Sequence, residues 1–120
     1  MDKNSSFIEA IVGEQLSSVE FVQDYVQLRF DGPTLTAFVW PIVSFSGKAV
    51  RWGESGYKDE LCARIGHTVQ TAALREGEAV VVVFEDGGEI SISLRPEDRV
   101  SQEAGHFCVC RNPSDPILEF

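Results

Sequence analysis

Val26-Gln-Leu-Arg-Phe30, followed by Asp31-Gly32 and Leu35, and Val80-Val-Val-Val-Phe84, followed by Asp86-Gly87 and Ile90, carry the same order of residues twice in one chain. Outward from these runs the correspondence continues, with Gly13 and Gly66 before them and Trp40-Pro41 and Arg95-Pro96 after them. A repeat at this period describes the architecture, so it is read before any single element. The spacing predicts an internal duplication within one domain covering residues 1–120. Repeat 1 spans about 6–41 and repeat 2 about 56–96, and a C-terminal strand and tail occupy 97–120.

Each repeat reads as a helix followed by three strands. Ser6-Phe-Ile-Glu9 has the form of a capping box, with Phe7 and Ile11 four apart on one side and Gly13 placed to end the helix. In the second repeat Tyr57, Leu61 and Ile65 mark the apolar side and Gly66 closes it. Strand one is expected at Leu16–Val22 and Val69–Leu74, and strand two at Tyr25–Phe30 and Val80–Phe84. In the first strand two, apolar Val26, Leu28 and Phe30 alternate with Gln27 and Arg29, the period of a half-buried strand. Asp31-Gly32 and Glu85-Asp86-Gly87-Gly88 tolerate positive φ and turn the chain into strand three, Leu35–Trp40 and Ile90–Arg95. Pro41 and Pro96 lack a ladder donor and end these strands. Between the repeats a turn at Ser46-Gly47 leads to a strand at Ala49–Trp52, and the tail carries a strand at Phe107–Arg111. The expected class is therefore α+β, a duplicated helix-plus-three-strand meander with a pseudo-two-fold axis, antiparallel sheet or sheets, and two short helices.

The repeats differ on their outward faces. Gln27 and Arg29 are replaced by Val81 and Val83, which asks for cover on both sides of the second strand two. Thr36, Phe38 and Trp40 stand where the second repeat has Ser91, Ser93 and Arg95. Phe38 and Trp40, with Trp52 and Phe45 near them, either pack under another element or form an aromatic patch for a partner. Phe38, Trp40, Trp52, Val81 and Val83 are the interface candidates, and a homodimer would pair Phe38 and Trp40 with Val81 and Val83.

Ten Lys and Arg against 19 Asp and Glu give a net charge of −9, which argues against a binder of the phosphate backbone and serves either solubility or steering toward a basic protein partner. Hydrophobic content of 43% in 120 residues supports one self-sufficient core. The opening residues lack a secretory pattern and no apolar run is long enough to span a bilayer. Together with three cysteines this gives a cytoplasmic reading with no membrane partner.

Chemical signatures are weak. His106-Phe-Cys108-Val-Cys110 places an imidazole and two thiols on one strand face, but such neighbours lie about 7 Å apart and close a tetrahedral site poorly. These thiols, and Cys62 beside Leu61, are expected to be buried and inert. His67 follows a helix-ending glycine and needs no catalytic role. No catalytic, cofactor-binding or metal-ligating residue is assigned, no cofactor is expected, and the chain reads as no enzyme.

The series Trp52-Gly-x-x-Gly-Tyr-x-Asp-x-Leu-Cys62, Ile65-Gly66, Phe84-x-Asp-Gly87 and Leu94-Arg-Pro-Glu-Asp98 resembles small uncharacterised bacterial cytoplasmic domains of the domain-of-unknown-function type. Some short acidic α+β proteins of bacteria are immunity proteins that neutralise a toxin by covering it. One functional reading is a non-enzymatic interaction module, most concretely immunity-like, that steers with acidic groups and holds a basic partner with aromatics. The other reading is a small-molecule binding or catalytic domain with a pocket between the repeats, and a histidine set against a carboxylate inside a deep cavity would favour it.

Overall fold

The computed structural model describes residues 7–120. In chain order the elements are β1 (Ser18–Phe21), β2 (Val26–Arg29), β3 (Thr34–Ala37), β4 (Ile42–Phe45), β5 (Lys48–Val50), α1 (Tyr57–Cys62), β6 (Val69–Arg75), β7 (Ala79–Phe84), β8 (Glu89–Ser93), β9 (Gly105–Cys108) and β10 (Ile117–Glu119). The strands form two five-stranded antiparallel sheets, ordered β1-β2-β3-β9-β10 and β5-β4-β8-β7-β6. The expected α+β class, with two helices leading helix-plus-meander repeats, is therefore overturned: the protein is mostly β.

The physical reason lies in segment length. Among the described residues the expected first helix amounts to helical Phe7 and Ile8 followed by a 3₁₀ turn at Glu9–Ile11, and its expected cap, Ser6, lies outside them. The second, α1, is six residues long. Gly13 and Gly66, at φ 87° and 90°, stop both segments. Helices this short have no stability of their own and persist only by packing. Meanwhile two strands escaped the period-two reading. No strand was expected at β4, whose outward Ile42 is as apolar as its inward Val43, and β10 is three residues after a proline.

The meanders β1–β3 and β6–β8 form, but neither makes a sheet alone. Each is completed by a hairpin from the other half of the chain: β9 pairs with β3, and β4 pairs with β8. The helical elements cross over too, the 3₁₀ turn packing on β6 and α1 on β1 and β4. The hairpin turn at Ser46 and Gly47, with φ of 54° and 78°, has the positive φ at both central residues that a two-residue connection requires.

The inward sets meet in one apolar cluster. Val26, Leu28 and Phe30 of the first half and Val80, Val82 and Phe84 of the second are fully buried, together with Leu35, Ile90, Ile92 and Phe107. Val81 and Val83 face the other way and stay partly exposed, so the expectation that they are covered on both sides is not met. Their register neighbours Ala73, Thr71, Ser91 and Glu89 flank them and shield only their sides. Among the thiols, Cys62 and Cys110 are exposed and Cys108 half-buried, which corrects the expectation of a buried, inert set.

At the end of the β7–β8 connection, Arg64 is buried beneath the hairpin. Its guanidinium reaches both Asp86 carboxylate oxygens at 2.7 and 2.9 Å and lies over the Phe45 and Phe84 rings. Gly88 leaves the room this needs, since a Cβ there would stand 1.9 Å from the Arg64 guanidinium nitrogen.

Where the halves meet, β3 and β9 approach so closely that Gly105 is required. A Cβ on it would lie 2.3 Å from the Thr36 carbonyl oxygen and 3.0 Å from the Phe120 ring. A backbone carbonyl inside a ladder has nowhere to go, so Gly105→Ala should cost about 1–3 kcal/mol of stability. The check is a lower urea midpoint at unchanged m-value, and an unaltered midpoint would show the β3–β9 pairing to be looser than described.

Candidate functional site: an aromatic cleft at the sheet crossing

β3 ends at Ala37, earlier than its sequence suggested, because the chain must leave one sheet and enter the other by Ile42. Phe38 and Trp40 therefore lie on a crossing segment and not on a sheet face. The segment is held at both ends. The Phe38 N–H donates to the Ala104 carbonyl at 2.8 Å, and the Tyr57 hydroxyl at the start of α1 donates to the Pro41 carbonyl. Tyr57 is buried, and that burial pushes its phenol well above the usual range, so it remains a donor at every ordinary pH.

The crossing forms one wall of an open cleft of about 1020 Å³. Phe38, Trp40 and Trp52 all line it, with the β1–β2 turn contributing Asp24 and the β8–β9 connection contributing Asp98. The Trp40 and Trp52 rings stack face to face, with centroids 3.8 Å apart and 5° between their planes. Phe21 continues the array 6.4 Å from Trp40, and Tyr57 meets Trp52 edge-on at 5.7 Å. Trp52 keeps 45% of its surface exposed, a large share for so big an apolar residue. Lys58 places its ammonium 5.6 Å from the Trp52 ring centre and 5.7 Å from that of Phe21. An ammonium at that range is attracted by the negative face of an aromatic ring.

Three of the five interface candidates are thus brought together: Phe38, Trp40 and Trp52. The other two, Val81 and Val83, lie on the outward face of β7 and do not line the cleft. Phe45 is drawn away to stack on Arg64. Sequence reading missed Phe21, Asp24, Lys58 and Asp98. Each sits in a different element from the candidates, and no local pattern links them.

The two histidines each meet a carboxylate, outside the cleft. His67 Nδ1 lies 3.4 Å from Asp86, and His106 Nε2 lies 2.7 Å from Glu103. The Arg64 hydrogen bond, ahead of the Gly88 N–H and the charges of Arg64 and His67, holds the Asp86 carboxyl below the usual carboxylate range. A carboxyl with a depressed folded-state pKa contributes stability that is complete above its unfolded value and disappears as pH falls through its folded value. The stability gap between the wild type and Asp86→Asn should accordingly be constant near neutrality and narrow below about pH 4. Denaturation at a series of pH values measures it, and a gap that widens in acid would mean the pair is not what Asp86 contributes. Comparison with protein-family models, with curated proteins and with solved structures finds no match for this chain.

Proposed function

We propose that this protein is a non-enzymatic binding module whose cleft receives basic side chains of a protein partner. The observation that carries the reading is the Trp40–Trp52 stack, half open to solvent, beside carboxylates and already holding a cation. Lys58 on the Trp52 and Phe21 faces is an internal example of what these rings accept. Asp24 and Asp98 border the cleft against one arginine, Arg51, and a net charge of −9 draws a cationic surface toward it before contact is made. Aromatic anchors ringed by charge have the composition of an interface centre. An immunity-like role, covering the working surface of a basic protein, is the most concrete form of this reading. A cytoplasmic setting accords with three free thiols. Among the described residues no helix is long and apolar enough to cross a membrane.

The small-molecule or catalytic alternative is less well supported. It would place a histidine against a carboxylate inside a cavity, and neither His67 nor His106 lines the cleft. A second copy of the chain is the competing occupant, through Phe38 and Trp40 against Val81 and Val83.

Tryptophan fluorescence titrated with an arginine-glycine peptide tests the proposal, with a glutamate-glycine peptide as control. The basic peptide should bind and the acidic one should not. Trp52→Ala, which leaves the net charge untouched, should weaken binding about tenfold. Binding that ignores the substitution would reduce the interaction to bulk charge and remove the cleft from it. Sedimentation of wild type and Trp40→Arg distinguishes the other occupant: a wild-type dimer that the substitution dissociates would assign the cleft to self-association instead.

A further inference from the structure

We propose that Glu103, His106 and Glu119 form a binding site for one divalent transition-metal ion of the zinc class. Sequence reading set His106 aside as a ligand because its same-face neighbours in sequence, Cys108 and Cys110, were expected about 7 Å apart along a strand. The tertiary pairing supplies a different neighbour. Glu119 of β10 stands directly opposite His106 in the ladder, where cross-strand side chains lie close enough to share a ligand. Glu103 arrives from the turn before β9 and places its carboxylate 2.7 Å from His106 Nε2. The three ligating atoms all lie within 4.8 Å of one another.

The backbone that carries them is locked. The Ala104 and Gly105 N–H groups both donate to the Phe120 carbonyl, at 2.7 and 3.2 Å, and the Phe120 N–H returns to the Gly105 carbonyl at 3.1 Å. The Phe38 ring meets the imidazole edge-on at 5.0 Å and restricts its plane. Ordinary zinc bonds of about 2.0–2.2 Å put tetrahedral donors about 3.4 Å apart, within reach of small side-chain rotations here. His106 and Glu103 are each about one-third exposed, at 34% and 35%, and Glu119 is exposed, so the site is open to an ion and leaves a position for water.

The electrostatics favour the same occupant. Two carboxylates are pressed together in a chain of net charge −9, and among the described residues neither forms an ion pair with a lysine or arginine. A divalent ion between them would neutralise both groups. One imidazole with two carboxylates suits borderline ions such as Zn²⁺ better than Mg²⁺ or Ca²⁺, which take oxygen alone.

Calorimetric titration of the full chain with zinc chloride tests the assignment, alongside a variant carrying Cys62→Ser, Cys108→Ser and Cys110→Ser. Both should bind one equivalent, with the His106 ring resonances moving in the NMR spectrum, and an excess of Mg²⁺ should not displace it. Glu119→Gln and His106→Gln should each weaken binding at least about tenfold while the remaining amide spectrum stays that of the folded protein. Zinc binding that is lost in the cysteine-free variant would move the site to the thiols and overturn the proposal. So would unchanged affinity in Glu119→Gln and His106→Gln, or no binding by the wild type at about millimolar zinc.

Discussion

The pairing of β3 with β9 and of β4 with β8 is the constraint on which the rest of this protein depends. A three-stranded meander with one apolar face has an open edge and too little partner surface to be stable alone. Here each meander borrows a hairpin from the other half of the chain, so neither sheet can form before the other half is present. The exchange also obliges the chain to cross between sheets, at residues 38–41 on one side. That crossing is short, leaves the regular ladder, and keeps Phe38 and Trp40 half-buried.

That geometry explains why the aromatic residues gather where they do. Phe38 and Trp40 ride on the crossing segment, pinned by the Ala104 carbonyl at one end and by the Tyr57 hydroxyl at the other. Trp52 leaves β5 and folds back onto Trp40, while α1 delivers Tyr57 and Lys58 from the opposite side. A cation is thereby seated on rings beside a cleft that Asp24, Asp98 and Arg51 border. The same exchange brings β10 beside β9 and sets Glu119 against His106, so the cleft and the cluster of ligating side chains both derive from the borrowed hairpins. Phe38 touches both, lining the cleft and meeting the His106 ring.

Charge is handled differently in the two halves. Arg64 is buried and spends its guanidinium on Asp86, with aromatic rings of Phe45 and Phe84 on its faces, an arrangement that fixes the β7–β8 hairpin. Arg29 in the first half is exposed and pairs with Glu20 across the β1–β2 ladder, where solvent reduces the interaction to little. Among the described residues Glu103 and Glu119 have no lysine or arginine partner, and Glu103 is met by His106 instead.

Local chemistry determined a good deal. The alternation of Val26, Leu28 and Phe30, and the matching Val80, Val82 and Phe84, identified the buried faces of β2 and β7, because side chains on a strand alternate strictly between two sides. Asp31-Gly32 and Ser46-Gly47 marked hairpins through the positive φ they tolerate. The differences between corresponding positions singled out Phe38 and Trp40, and Trp52 was added for its nearness in sequence; the three share one cleft. Tertiary structure decided the class and the partners. Period alone could not reveal that the helical segments stop after a turn or two, nor could it find β4, whose Ile42 and Val43 are equally apolar. It could not bring Glu119 opposite His106 or Lys58 over Trp52, since both depend on which strand a hairpin chooses to complete, and that choice is set by burial summed over two sheets.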